Sequence, residues 1–269
     1  MFNDPRLWIS GVLPFKSKLG IATTVTICTS LKALRERVVA DFCSAAEFKA
    51  YTQLAFAFAG DHIHCPTAPE TLIVGYTEFA QYLGLPDKTL RSSDLAPIFV
   101  ATSGAPLLAL VHQHQVVIFE AAYFDAIKLL LLDNPLRLPG KRQIEYSAVV
   151  AAASREEVLA YMVERELNEL KYKPVAEWFA YLNRLVTGVN VTDLDVCRIA
   201  EAKATRDLLV HNSGIVNDIY IQKAGSLARY KVGETVTISS DYALEAWQLL
   251  SRATIAVIDT MAQKLCADA

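Results

Sequence analysis

RDLLVHNSGIVNDIY, residues 206–220, places a cation, a carboxylate and an imidazole within six positions. Asp207 and His211 are four apart, so on a helix they share a face, where the carboxylate can orient the imidazole and favour its protonated form. Arg206 precedes His211 by five residues, about 140° around an ideal helix. The two converge only if His211 falls in a distorted last turn or if two copies meet across a twofold axis. Asn212-Ser213-Gly214 predicts such a turn, with Gly214 as a left-handed cap. An Arg and a His brought together suit phosphodiester cleavage. The His moves a proton near neutral pH and the Arg stabilises charge building on the phosphate. In RNA the neighbouring 2′-OH serves as nucleophile, so the chemistry needs no metal. The plainer reading is a His at a helix C-terminus, favoured by the dipole, beside an Arg–Asp surface pair.

Other polar groups could compete with this site or serve it. Glu120 is the only formal charge between Asp94 and Asp125 and lies mid-helix among apolar residues. It can reach Arg206 or His211 across a bundle, or sit at a partly exposed edge. Lys203, one turn before Arg206, and Lys223, Arg229 and Lys231 after the motif either line an RNA path or form a solvated basic edge. His62 and His64 alternate within DHIHC (61–65), but no second ligand pair accompanies them and Pro66 follows, which reads as a loop with ordinary histidines. His112 and His114 are two apart on a helix, about 200° around the axis, and cannot share an ion from that helix alone. No metal or cofactor is expected. P-loop, GxGxxG, GxSxG and HExxH patterns are absent, which removes nucleotide hydrolysis, dinucleotide redox, serine-hydrolase and zincin readings.

The elements that must position Arg206 and His211 follow from periodicity. Leu31 to Phe58 has helical spacing and ends at Gly60, and Thr77 to Leu83 reads as a short helix. DHIHCPTAPE and LPDKTLRSSDLAP read as loops. From Pro106 a long helix runs to Asp133, apolar enough to be buried on most sides. Ser154 begins a helix over Val158 to Leu170. Lys173-Pro174 opens another, in which Trp178 and Tyr181 read as core. Thr192-x-x-Asp195 resembles a capping box at the start of the motif helix, whose apolar face reads as Leu194, Cys197, Ala200 or Ala204, and Leu208. Val232-Gly233-Glu234 predicts a small β-hairpin, and Tyr242 to Cys266 a closing helix.

With 26 Lys and Arg against 29 Asp and Glu, the chain lacks the broad basic footprint of a duplex-DNA binder. Five cysteines (Cys28, Cys43, Cys65, Cys197, Cys266) form no CxxC pair and read as reduced thiols of a cytoplasmic protein. Residues 95–119 carry no formal charge, yet Pro97, the Ser103–Pro106 break and the His112–Gln115 cluster argue against a membrane span. No signal-peptide order is read at the start.

R-D-x-x-x-H followed by N-x-G-x-V, at Arg206, Asp207, His211, Asn212, Gly214 and Val216, resembles the R-[ND]-x-x-x-H pattern of HEPN-domain proteins. The order of elements is similar too: a long first helix (107–133), an aromatic-rich helix (177–183), the motif at the end of the next helix, the VGETVTIS turn and a long closing helix. The resemblance covers residues 105–269. It implies Arg206 and His211 as catalytic, with Asp207 in support where Asn is more usual, and Asn212 beside the motif. HEPN proteins are commonly homodimers. Many are metal-independent RNases of toxin–antitoxin, abortive-infection or RNA-surveillance systems, and others are inactive. The expectation is an all-α protein with a C-terminal HEPN-like helical bundle (105–269), one small β-hairpin and a mainly helical N-terminal extension (1–104). Its expected activity is that of a defence-type endoribonuclease that cleaves RNA by 2′-OH attack as a homodimer, with the Arg206 and His211 site at the dimer interface, a cognate antitoxin as a further partner and no membrane. The alternative is a non-catalytic HEPN dimer that binds RNA, a nucleotide or an antitoxin.

Overall fold

Pro106 sits in the first turn of a helix that runs unbroken from Ala105 to Asp133, and most of the longer helices pack against it. The computed structural model describes residues 26–63, 71–74, 82, 88–140 and 143–266. In chain order these form α1 (Ile27–Ile63), β1 (Thr71–Val74), β2 (Lys88–Arg91), α2 (Ser92–Ser103), α3 (Ala105–Asp133), α4 (Tyr146–Ala151), α5 (Arg155–Lys171), α6 (Val175–Leu185), α7 (Asp193–His211), α8 (Asp218–Ala224) and α9 (Ser240–Leu265). The protein is all-α in character, with one two-stranded antiparallel ladder among the described residues, pairing Thr71 with Arg91.

Helix α3 is buried on most of its circumference, through Val111, Val116, Phe119, Tyr123, Ile127 and Leu130 among others. Tyr123 meets Phe119, Phe124, Trp178 and Phe179 at centroid distances of 5.2 to 5.9 Å, an aromatic knot that joins α3 to α6. The segment Ser93–Asp133 is long and apolar enough to cross a membrane by length and composition. Its α3 portion packs into the core shared with α1, α5, α6, α7 and α9.

The segment before residue 105 contributes directly to that core. Leu31, Leu34, Val38, Phe42 and Ala45 recur at helical spacing on α1 and join the same apolar cluster as α3 and α9. Trp247 of α9 donates its indole N–H to the Phe42 carbonyl at 3.2 Å. The face then changes character: Phe48, Tyr51, Leu54 and Phe58 are each more than half exposed. This distal half of α1 meets α2, where Phe56 and Phe99 lie 5.2 Å apart.

Several expectations are corrected. α1 passes through Gly60 to Ile63, because a single glycine weakens a helix without ending one. LPDKTLRSSDLAP is only partly loop: it supplies β2 and opens α2, with Pro97 inside the helix. The short helix expected over Thr77–Leu83 lies outside the described residues apart from Tyr82, as do His64 and Cys65 of the DHIHC stretch. The turn at Val232-Gly233-Glu234 forms, with Gly233 at φ +88 and Glu234 N–H donating to the Lys231 carbonyl at 3.0 Å. Residues 233–236, however, pair with 214–216: Val216 N–H donates to Glu234 O, Gly233 N–H to Val216 O and Val236 N–H to Gly214 O. The partner of the outgoing arm is therefore the segment after the motif.

The expectation of five reduced thiols is corrected as well. Cys28 and Cys266 form a disulfide with their Cα atoms 5.8 Å apart. A sequence separation of 238 hides this pair from any spacing rule; it is created by the start of α1 meeting the end of α9. Cys43 and Cys197 are free and exposed.

If α1 belongs to one cooperative core, Phe42→Ala, at a site 2% exposed, will cost about 3–5 kcal/mol and keep a single unfolding transition in denaturant. A separate early transition for α1 would contradict this. For the bridge, Cys266→Ser is expected to cost about 2–5 kcal/mol, since the closed loop is long. Peptide mapping without reductant should recover the Cys28–Cys266 link.

Candidate functional site

Thr192 and Asp195 form a full capping box at the start of α7, each side chain paired with the other's backbone. From that start the helix carries Ile199, Ala202, Thr205 and Leu208 inward. The second half of the expected apolar face holds, with Ala204 and Leu208 buried, but the first half does not: Leu194 is 51% exposed and Cys197 lies on the surface. Glu201, which looks like a solvated charge in the sequence, is buried on the inward side and accepts hydrogen bonds from Thr205, Tyr220 and Tyr242. Its position seven residues before Leu208, on the helical repeat, is the signal that would have found it.

The opposite side of α7 carries the charged motif. Arg206 donates from Nη2 to Glu120 Oε2 at 2.8 Å and from Nη1 to Asp207 Oδ1 at 3.0 Å. Lys203 Nζ lies 2.8 Å from Glu120 Oε1 and 3.4 Å from Asp207 Oδ1, and Lys223 Nζ lies 3.0 Å from Asp207 Oδ2. Glu120 therefore reaches across from α3 to Arg206 and Lys203. Burial works to raise the pKa of the Asp207 carboxyl, but Lys203, Lys223 and Arg206 outweigh it and hold it below the usual aspartate value. Arg206 Nε is buried without a partner.

His211 occupies the last position of α7 and is exposed. Asp207 is committed to three cations, and among the described residues the His211 side chain has no hydrogen bond or ion pair. The expected Asp207–His211 bond is thus not made. The turn beyond His211 is tighter than Gly214 alone predicts. Ser213 takes the first left-handed position at φ +53, Gly214 follows at φ +74, and the Leu208 carbonyl accepts from both Asn212 and Gly214 N–H. The Asn212 side chain donates to the Ile215 carbonyl, so it shapes the turn.

Arg206, Asp207, His211, Lys203 and Lys223 all line one open cleft of ≈ 940 Å³, together with Lys171, Tyr172, Lys173 and Cys197. Arg206 and His211 thus share a cleft within a single chain, although they lie five positions apart on a regular helix. Lys171, Lys173, Lys203, Arg206 and Lys223 are set against Asp207 in the lining and Glu120 behind it, which leaves an excess of positive charge around the cleft. Arg229 lies elsewhere, 3.7 Å above the Tyr242 ring in a separate cleft of ≈ 470 Å³ with Arg198 and Arg252. The Lys171-Tyr172-Lys173 contribution was not read from the sequence; its signal is two cations around an aromatic at a helix junction.

Among the described residues no group of three metal-ligating side chains is present. His112 is wholly buried and bonds the Ala202 carbonyl through Nε2 at 3.0 Å, while His114 is exposed. Comparison with known proteins gives no matching family model, no matching curated protein and no matching solved structure.

Burial lowers the His112 pKa to about 4, with Arg229 and Arg206 acting in the same direction against the raising effect of the Ala202 hydrogen bond. The unfolded chain therefore binds the extra proton first on acidification. The stability contributed is complete above the ordinary value of 6.5 and is lost as pH falls towards about 4. Thermal midpoints measured between those values should fall more steeply in the wild type than in His112→Gln; equal slopes would remove His112 from the account.

Proposed function

We propose that this protein is a metal-independent endoribonuclease of defence or toxin type, built on a HEPN-like helical bundle. The observation that carries the reading is the cationic cleft that both Arg206 and His211 line. Its lysines can hold a polyanion, and its one exposed imidazole is free of protein partners. In the reaction His211 takes the proton from a ribose 2′-OH as that oxygen attacks the adjacent phosphorus. The bond to the 5′-oxygen breaks, and a proton returns to the leaving oxygen. Arg206 stabilises the charge on the non-bridging oxygens by exchanging a carboxylate partner for the phosphate. Asp207 and Glu120 position Arg206 and the neighbouring lysine. Val210, Ile215 and Ile219, all exposed around the motif's end, supply apolar surface on which a second copy or an antitoxin could seat.

One observation favours the alternative, a non-catalytic anion-binding module. The Arg206 guanidinium is already shared between Glu120 and Asp207, and His211 lacks an orienting carboxylate. The two readings separate in one assay, in which pure protein meets a mixed single-stranded RNA pool in EDTA. The nuclease reading expects fragments ending in 2′,3′-cyclic phosphate. His211→Ala and Arg206→Ala should each lower the rate by at least ~10²-fold while keeping the fold. Undiminished cleavage in either variant refutes the assignment, and an inert wild type that still binds RNA selects the binding module.

A further inference from the structure

Where α5 gives way to α6 the chain reads Lys171-Tyr172-Lys173-Pro174, and all four residues line the cleft that holds Arg206 and His211. Tyr172 is 92% exposed. Its backbone, by contrast, is held. Tyr172 sits in helical geometry at φ −82, ψ −6, and Lys173 N–H donates to the Leu170 carbonyl at 2.9 Å. Pro174 then fixes the next step at φ −55 and its carbonyl starts α6 by accepting from Glu177 and Trp178. A bare aromatic ring on a fixed backbone loses little backbone freedom when something stacks on it.

The surrounding cations are supported in a way that suits the same ligand. Lys171 Nζ lies 5.4 Å from the Phe124 ring centre and Lys203 Nζ 5.8 Å from that of Trp178. Those two rings pack edge to face at 4.8 Å, so each ring of one buried aromatic pair has a lysine ammonium near it. Lys171 and Lys173 flank Tyr172 in sequence, and among the described residues no carboxylate pairs with either in an ion pair. The cleft thus combines an exposed aromatic ring with lysines that precede and follow it in the chain and line the same space, the residue types that engage a base and its neighbouring phosphates.

We propose that Tyr172 is a base-stacking platform, with Lys171 and Lys173 as its phosphate contacts, and that the ligand class of this cleft is single-stranded nucleic acid. A base inside a duplex is stacked on both faces, so the ring can engage only an unpaired base or a strand end. The choice of RNA over DNA rests on the endoribonuclease reading; the stacking platform itself does not. Tyr172 acts as a positioning residue: it holds the strand while Arg206 and His211 contact the scissile phosphate.

The test is fluorescence anisotropy in EDTA with a labelled oligouridylate and its duplex with oligoadenylate, all in the His211→Ala background so that cleavage cannot consume the probe. Single-strand binding should exceed duplex binding. Tyr172→Ala should weaken single-strand binding by about 10-fold or more while Tyr172→Phe stays within about twofold, since the ring face and not the hydroxyl is required. Lys171→Ala and Lys173→Ala should each flatten the salt dependence of log K by about 0.7. Unchanged binding by Tyr172→Ala, duplex preference, or no binding at all overturns the proposal. Cleavage by the wild type alongside normal binding by Tyr172→Ala would overturn the platform and leave the nuclease standing. The loss in Tyr172→Ala without any wild-type cleavage would do the reverse.

Discussion

The Glu201 carboxylate, buried within the bundle, accepts hydrogen bonds from Thr205 at 2.8 Å, Tyr220 at 3.0 Å and Tyr242 at 2.8 Å. These hydroxyls come from α7, α8 and α9, so one acceptor ties the motif helix to both helices that follow it. Burial without such donors would be costly for a carboxylate. The donors are kept protonated by the same environment. Burial, with the Glu201 charge adding to it, pushes Tyr220 up to about 12, and burial raises Tyr242 in the same direction. The Tyr220 oxygen also accepts the Arg229 N–H, which anchors the segment leading to the turn at 231–234. With Glu201 pointing inward, helical geometry leaves Lys203, Arg206 and Asp207 on the other side, facing the cleft.

That outward side is balanced by a carboxylate from a distant part of the chain. Glu120 stands on α3 among apolar neighbours, and its two oxygens take Lys203 and Arg206 separately. The pair of cations is thereby held apart and aligned without being fully neutralised, because Lys223, Lys171 and Lys173 add charge around the same space. An anion entering the cleft competes with Glu120 and Asp207 for groups already partly stripped of water, the setting in which charge-assisted bonds gain strength.

Much of this was legible in the residues. Thr192 and Asp195 announced the start of α7, Pro106 the start of α3, and Trp178 and Tyr181 their place in the core. The local turn at Gly233 was legible too, since a positive φ favours glycine. What pairs with that turn was not, because residues 214–216 are brought there by tertiary packing around Val216, Tyr220 and Val236. The inward face of α7 is legible only at Ala204 and Leu208, because a buried glutamate and threonine look polar in sequence while Leu194 and Cys197 look apolar; hydrogen bonding to Tyr220 and Tyr242 reverses that order. The Asp207–His211 pairing followed from spacing on one helix, and it lost to three cations, one of them from α8, that no intrahelical rule counts. The role of α1 was hidden for the same reason, since its partners on α3 and α9 lie far along the chain.

The bond between Cys28 and Cys266 makes the polypeptide between them a covalent ring, with α1 and α9 side by side where it closes and Arg35 paired to Asp259 at 2.7 Å along the same seam. Tension applied along the chain from outside that ring would be carried by the sulfur–sulfur bond and would not be transmitted into the helices. A bundle closed in this way cannot be unzipped from its ends by pulling. It has to come apart from within, through loss of the packing around α3, and that makes resistance to mechanical threading a property of two sulfur atoms placed 238 positions apart.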